Sequence, residues 1–267
     1  MITPEFSQFR DAVASYQSTP GRLPQELAIS SGQKGLSTWY APFEHINTSA
    51  RLVICGITPG WQQADKALCA ARDALRAGQS DADAVRSAKN IGSFAGVMRT
   101  NLTRMLNHIG MQGHLGLDCC GDVFGHRNDL VHYTSALRYP VFKDGKDYSG
   151  SGAMVSDPYL WDQSSQMLGE EIAALGGTLW LPLGSAAIKV FEKLVRQSTI
   201  REESVLFGMP HASGANAERI KYFLGEKSRD DLSIKVNPEI IEKGRAALLA
   251  KLGSTGMPAG AEAVPAL

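Results

Sequence analysis

RLVICGI (Arg51 to Ile57), stopped at once by Thr58-Pro59-Gly60, is the stretch on which the fold turns. A short apolar run rich in β-branched residues and ended by a Pro-Gly turn reads as a buried strand feeding a loop. TLWLPL (Thr178 to Leu183) repeats the pattern far downstream, and Val131 to Tyr139 has strand character up to Pro140. Between these runs the period changes to that of helices. Gln63 to Ala77 and Asp81 to Asn90 are alanine-rich and join at Gly78, and Phe94 to Ile109 carries Val97, Leu102, Met105, Leu106 and Ile109 at helical spacing before Gly110. Pro158 to Leu175, closed by Gly176-Gly177, and Ser185 to Val195 are further helices. Strands alternating with helices predict right-handed crossovers and a three-layer α/β/α fold with a mostly parallel central sheet. Ligands in such folds lie beyond the carboxyl ends of the strands. Thr58 to Trp61, the segment after Leu137, Gly184 and the segment around His211 are therefore expected on one rim.

At 267 residues with 43% hydrophobic content the chain supports one domain, expected over 1–252 with a helical insertion at about 61–90. Pro238 to Leu252 reads as a C-terminal helix, and 253–267, dominated by Gly, Ala and Pro, as a disordered tail. No stretch approaches the roughly 18 apolar residues of a membrane span, and Met1 to Arg10 lacks a basic region followed by an apolar one. A cytoplasmic protein is expected. Cys55 lies in an apolar run and Cys119 and Cys120 are adjacent, so with Cys69 they form no disulfide framework and fit a reducing compartment. The formal net charge of zero argues against coating nucleic acid through bulk electrostatics. Residues 84–117 nonetheless lack acids while holding Arg86, Lys89, Arg99 and Arg104, which fits a solvated helix face or a phosphate-contacting stripe.

Gly56-Ile57-Thr58-Pro59-Gly60 resembles the first motif of the uracil-DNA glycosylase superfamily, most closely the Gly-Ile-Asn-Pro-Gly of its mismatch-specific branch. Further similarities follow in the superfamily's order. Phe94-Ala95-Gly96 resembles the Phe-x-Gly segment whose ring stacks on the extruded base. His132 to Pro140 (HYTSALRYP) resembles the family-four strand with Thr-Asn and Arg-Pro pairs. Leu183-Gly184-Ser185-Ala186-Ala187 resembles that family's Leu-Gly-x-x-Ala turn, and His211-Ala212-Ser213 its second motif, His-Pro-Ser. Order and spacing over roughly Arg51 to Leu224 carry the resemblance.

The resemblance implies a uracil-DNA glycosylase-like fold and a monomeric DNA glycosylase that needs no cofactor or metal. Its partner would be DNA, single-stranded or duplex with a flipped nucleotide. His211 would donate to the departing base. Phe94 would stack on it, and Ile57, Ser135 and Tyr133 would complete the base pocket. Pro59 and Gly60 give a tight loop close to the sugar. Ser213, Gly214 and the helix opening near Asn216 would offer donors to flanking phosphates, with Gly184, Ser185, Arg138 and Arg219 completing the DNA-contacting set.

Departures from the pattern bear on substrate. The first motif holds no carboxylate: Thr58 stands where many members have Asp or Asn, and Ile57 where family four has Glu. A threonine hydroxyl positions water but is a poor base, which leaves Asp65, the nearest carboxylate downstream, as a candidate catalytic group or a helix-start charge. Ser135 replaces the asparagine that reads uracil, and a shorter side chain leaves room for a larger base. Tyr133 and Arg138 could contact added polar groups, and the insertion could wall a larger pocket. These features resemble the bacterial branch of phage-defence glycosylases, which remove hypermodified cytosines such as glycosylated hydroxymethylcytosine. A conventional uracil or mismatch glycosylase, or a non-catalytic reader of a base or nucleotide, are the alternatives. An iron–sulfur cluster on four cysteines does not fit their spacing. A zinc site from His114, Cys119, Cys120, His126 and His132 suffers because adjacent cysteines share one tetrahedral ion poorly.

Overall fold

Capping chemistry and apolar period decide where the elements begin and end. The computed structural model describes residues 4–32, 34–150 and 152–254. In chain order come α1 (Phe6–Ala14), β1 (Ala28–Ser31), β2 (Leu36–Trp39) and β3 (Leu52–Gly56). Then follow α2 (Trp61–Arg76), α3 (Asp81–Gly92), α4 (Val97–His108), α5 (Met111–Leu115) and β4 (Val131–Ser135). Next are β5 (Val141–Lys143), β6 (Lys146–Asp147), α6 (Pro158–Ala174) and β7 (Leu179–Pro182), and last α7 (Gly184–Arg196), α8 (Ala217–Phe223) and α9 (Pro238–Ser254). Ser80 caps α3 by accepting from the Asp83 amide, and Asp157 caps α6 ahead of Pro158 at its first turn.

The central sheet has three parallel strands in the order β4-β3-β7. Its central strand alternates its side chains between two cores. Leu52 and Ile54 join Leu102, Met105 and Phe223 on one face, whereas Val53 and Cys55 join Leu160, Val190 and Phe191 on the other. Helices α4 and α8 thus cover one face and α6 and α7 the other, which is the α/β layering the sequence led us to expect. A third core, built on Ala64, Ala67, Leu68 and Ala71 of α2 and Ala84 and Ala88 of α3, packs these two helices against α1 and Tyr40.

Three boundaries differ from expectation. The helix expected from Phe94 begins at Val97, because Phe94 (φ 50°) and Gly96 (φ 81°) hold left-handed backbone that no helix continues through. The strand expected to reach Tyr139 ends at Ser135. Ala136 and Leu137 still donate to the carbonyls of Gly56 and Ile57, but the next residue turns into the core. A second sheet, antiparallel in the order β1-β2-β5-β6, stands beside the parallel one. Helix α9 continues to Ser254, and 255–267 of the expected tail lie outside the described residues.

Candidate functional site

The carboxyl ends of β3, β4 and β7 open into a cleft of about 890 Å³. Strand order explains its place. From β3 the chain crosses to β4 on one side and then returns past β3 to β7 on the other, and such a reversal leaves a crevice at the strand ends. Gly56, Ile57, Thr58 and Gly60 line it after β3, Ser135 ends β4, Gly184 and Ser185 follow β7, and His211, Ser213, Asn216 and Arg219 come from the segment leading into α8. Four separated stretches of sequence thus meet at one rim, with Phe94 joining as a fifth from the turn before α4.

The floor is built on Gly56. It pairs with Ser135 across the sheet, and a Cβ added to it would lie 3.2 Å from the Phe94 ring and 3.4 Å from Ser135 Oγ. Ring and hydroxyl therefore converge on a spot where only backbone intervenes. Phe94 is held in its left-handed conformation by Arg99, whose guanidinium binds the carbonyls of Ile91 and Ser93 at 3.1 and 3.0 Å.

A hydrogen-bonded chain fixes His211 on the wall of the cleft. The Ser213 amide donates to His211 Nδ1 at 3.2 Å, Asn216 Nδ2 donates to Ser213 Oγ at 3.0 Å, and Arg219 donates to Asn216 Oδ1 at 3.3 Å. Because Nδ1 accepts, the proton of the neutral ring sits on Nε2. Burial lowers the His211 pKa, which favours that neutral form. Gly184 stands directly behind: its φ is 75°, and a Cβ there would come within 2.8 Å of His211 Cβ.

Several expected residues are placed differently. The Thr58 hydroxyl is engaged in the fold, donating to the Tyr139 carbonyl and accepting from the Val141 amide, both at 3.0 Å, so it is not free to handle water. Asp65 accepts from Tyr16 at 2.7 Å on α2 and does not line the cleft. Tyr133 is buried, its hydroxyl donating to the Val123 carbonyl and its ring stacked on Phe124. Arg138, expected at the DNA surface, is only 3% exposed and donates to Glu171 at 3.0 Å and to the Met167 carbonyl. Its aliphatic neighbours and a buried carboxylate drew it inward. Pro59, Tyr133 and Arg138 line a smaller cavity behind the cleft, and Gly214 is exposed outside the lining. The basic run is divided: Arg86 pairs with Asp83 and Arg104 with Glu226 on the surface, while Arg99 binds backbone and Lys89 is buried.

Among the lining residues that were not foreseen, one bears directly on the chemistry. Asp147, exposed on β6, presents the carboxylate that the first motif lacks. Its Oδ1 accepts from the Trp61 amide at 2.8 Å across 86 residues, and a Cβ at Gly60 would meet Oδ2 at 2.6 Å. Among the described residues lining the cleft it is the sole carboxylate. The Asp144-Gly145 pair, both at positive φ, is a hairpin signal that could have located it.

The cysteines are free, Cys55 being buried in β3, and among the described residues no three His, Cys, Asp or Glu side chains converge as metal ligands. No helix of the described residues is long and apolar enough to cross a membrane.

Fold and site together define an α/β protein with a deep cleft at the carboxyl ends of a parallel sheet. The chain is 36% identical over 222 residues, 81% of its length and 83% of the relative's, to "Uncharacterized protein YoxB" of Bacillus subtilis (strain 168), and it belongs to that protein's family. No family model and no solved structure matches it.

Proposed function

We propose that the chain is a cytoplasmic DNA glycosylase with the fold of the uracil-DNA glycosylase superfamily, acting on a bulky modified cytosine such as the glycosylated hydroxymethylcytosine of phage DNA. The observation that carries this reading is the convergence of Phe94, Ser135 and a neutral His211 with its proton on Nε2 around one cleft. An extruded base would lie against Phe94 with one edge at Ser135. Water adds to C1′ of the sugar as the bond from C1′ to the base nitrogen breaks. The electron pair leaves with the base, which accepts a hydrogen bond from His211 Nε2, and Asp147 takes the proton of the water. Neither Thr58 nor Asp65 is placed for that last role, since both are engaged elsewhere. A cleft of about 890 Å³ is at the upper end for a small-molecule site and far exceeds what a plain pyrimidine ring fills.

The test is to incubate purified protein with oligonucleotides carrying uracil, a thymine mismatch, hydroxymethylcytosine and its glucosylated form, and to score alkali-labile abasic sites. Fastest release of the modified cytosines is expected. Fastest release of uracil would overturn the substrate and keep the chemistry, and no abasic sites on any oligonucleotide would leave a reader that binds bases without cutting them.

A further inference from the structure

Behind the floor of the cleft lies a smaller cavity of about 20 Å³, room for a single water-sized group. Gln63, Phe94 and Ser135 line both spaces, so a ring lodged against Phe94 and Ser135 stands at its mouth. Two of its buried groups, the Lys89 ammonium and the Thr134 hydroxyl, have no hydrogen-bond partner among the described residues. Lys89 is 2% exposed, and Glu171 Oε1, its counter-charge, is 4.0 Å away, beyond hydrogen-bond range. Orphan donors of this kind are rare in native interiors and ask for an acceptor.

The surrounding charges favour an electron-rich one. Arg138 shares the fully buried Glu171 with Lys89 and also reaches the part-exposed Glu170 at 3.4 Å, so within the interior two cations divide one carboxylate. Burial raises the pKa of Glu44, accepting from Tyr40, which weakens it as a second counter-charge. His132 on β4 and His45 are both pushed down to about 4, mainly by burial and then by Lys89, so neither adds positive charge near neutrality. Burial also lowers Lys89 itself to about 8 against the pull of Glu171, which keeps it mostly cationic at pH 7.

We propose that this cavity is a subsite of the base pocket that receives one exocyclic oxygen of the extruded pyrimidine, with the Lys89 ammonium and the Thr134 hydroxyl as its donors. The inference rests on the base-binding reading above and deepens it. A cavity of one-atom size admits a ring carbonyl oxygen and leaves any bulky substituent in the main cleft. That oxygen gains negative charge as the base departs, so a fixed cation beside it stabilises the leaving group more than the bound substrate. It also gives the helical insertion a role, because Lys89 projects from α3 into the wall of the pocket.

The experiment compares affinities for three oligonucleotides. Two carry uracil or hydroxymethylcytosine on a sugar whose 2′-fluorine blocks bond cleavage, and the third carries a tetrahydrofuran in place of the nucleotide, with no base. The ratio of base-bearing to base-free affinity isolates contacts to the base, whether or not the protein cuts. Lys89→Met is expected to reduce that ratio about tenfold or more and Thr134→Val several-fold, with tetrahydrofuran affinity within about twofold of wild type. A ratio unmoved in Thr134→Val and Lys89→Met would overturn the subsite while leaving base binding intact. A wild-type ratio near one would overturn base binding and the subsite together. Should Lys89→Met fail to melt cooperatively, Thr134→Val decides by the same criterion, since it keeps the shape of a strand residue.

Discussion

Gly184 and His211 act as one unit at the residue scale. The glycine is required twice over, by a φ of 75° and by the 2.8 Å that would separate an added Cβ from that of His211. Gly184→Ala should displace the imidazole and slow excision about 10-fold to 100-fold. His211→Ala should slow it about 10²-fold to 10³-fold while changing DNA affinity little, because a donor to the departing base acts in the transition state. Single-turnover rates set beside anisotropy titrations test both, and equal losses in rate and affinity would make His211 structural. Asp147→Asn keeps an acceptor for the Trp61 amide but removes the base, so excision should fall about 10²-fold or more with unchanged melting. Retained activity would assign water activation elsewhere. Ser135→Asn should shift the ratio of rates toward uracil, since the longer amide both reads uracil and occupies space for a modification. A ratio unmoved by this change would remove Ser135 from the pocket. His211, Phe94 and Ser135 were legible in the sequence because their motifs fix them at strand or turn ends. The inward course of Tyr133 and Arg138 was not legible, because it follows partners such as Val123 and Glu171 that are distant in sequence.

At the scale of elements, the parallel strands and helices α2, α3, α4, α6, α7 and α9 were legible from apolar runs and capping signals, but α1, α5, β1, β2, β5 and β6 were not. Strands of two to four residues give too few alternations to show a period. Nor could the sequence reveal that α3, β4 and α6 are tied by a buried polar cluster. His132 Nε2 lies 3.5 Å from Glu171 Oε2, and Lys89 and Arg138 face the same carboxylate. This linkage sets the response to acid. His132 has its pKa pushed from 6.5 to about 4, by burial first and by Lys89 next, despite Glu171. Below 6.5 the unfolded chain therefore takes up a proton that the folded one refuses, so this histidine alone removes about 3 kcal/mol as pH falls to about 4, and part-buried His45, pushed to the same value, adds to the decline. Glu171 acts in the same direction below 4.5: burial would raise its pKa, yet Lys89, His132 and Arg138 outweigh burial and depress it. Glu44, raised by burial, offsets part of the loss. Urea unfolding of wild type at a series of pH values should show this decline, and His132→Gln should flatten it by about one proton between 6.5 and 4. A wild-type profile that is flat over that interval would show His132 protonated in the fold.

Over the whole molecule, 27 basic and 27 acidic side chains cancel, and in the run of cations between Arg86 and Arg104 the two exposed arginines are paired with carboxylates while Arg99 binds backbone. Among the described residues Arg219 and Lys235 are the cations that line the cleft, and the first is steadied by Asn216 and the Lys235 carbonyl. The seven-residue helix α8 contributes little field of its own at a phosphate, so side chains must supply the contacts. A protein that neutralises about two or three phosphates loses affinity with a slope of about −2 to −3 in log K against log salt, far from the value near −10 of proteins that bind through a basic face. Between 50 and 200 mM salt, affinity for a fluorine-blocked oligonucleotide should then fall only about 15-fold to 60-fold. Most of the binding free energy would come from the extruded base, so the preference among bases should persist at salt concentrations where backbone binding fades. Arg219→Gln should lower the slope by about one and weaken all oligonucleotides alike, because a phosphate contact carries no base information. Anisotropy titrations at four salt concentrations measure both quantities. A slope of about six or more would show that a basic surface outside the cleft carries the DNA, and a change in base preference on losing Arg219 would place that side chain against the base instead of the backbone.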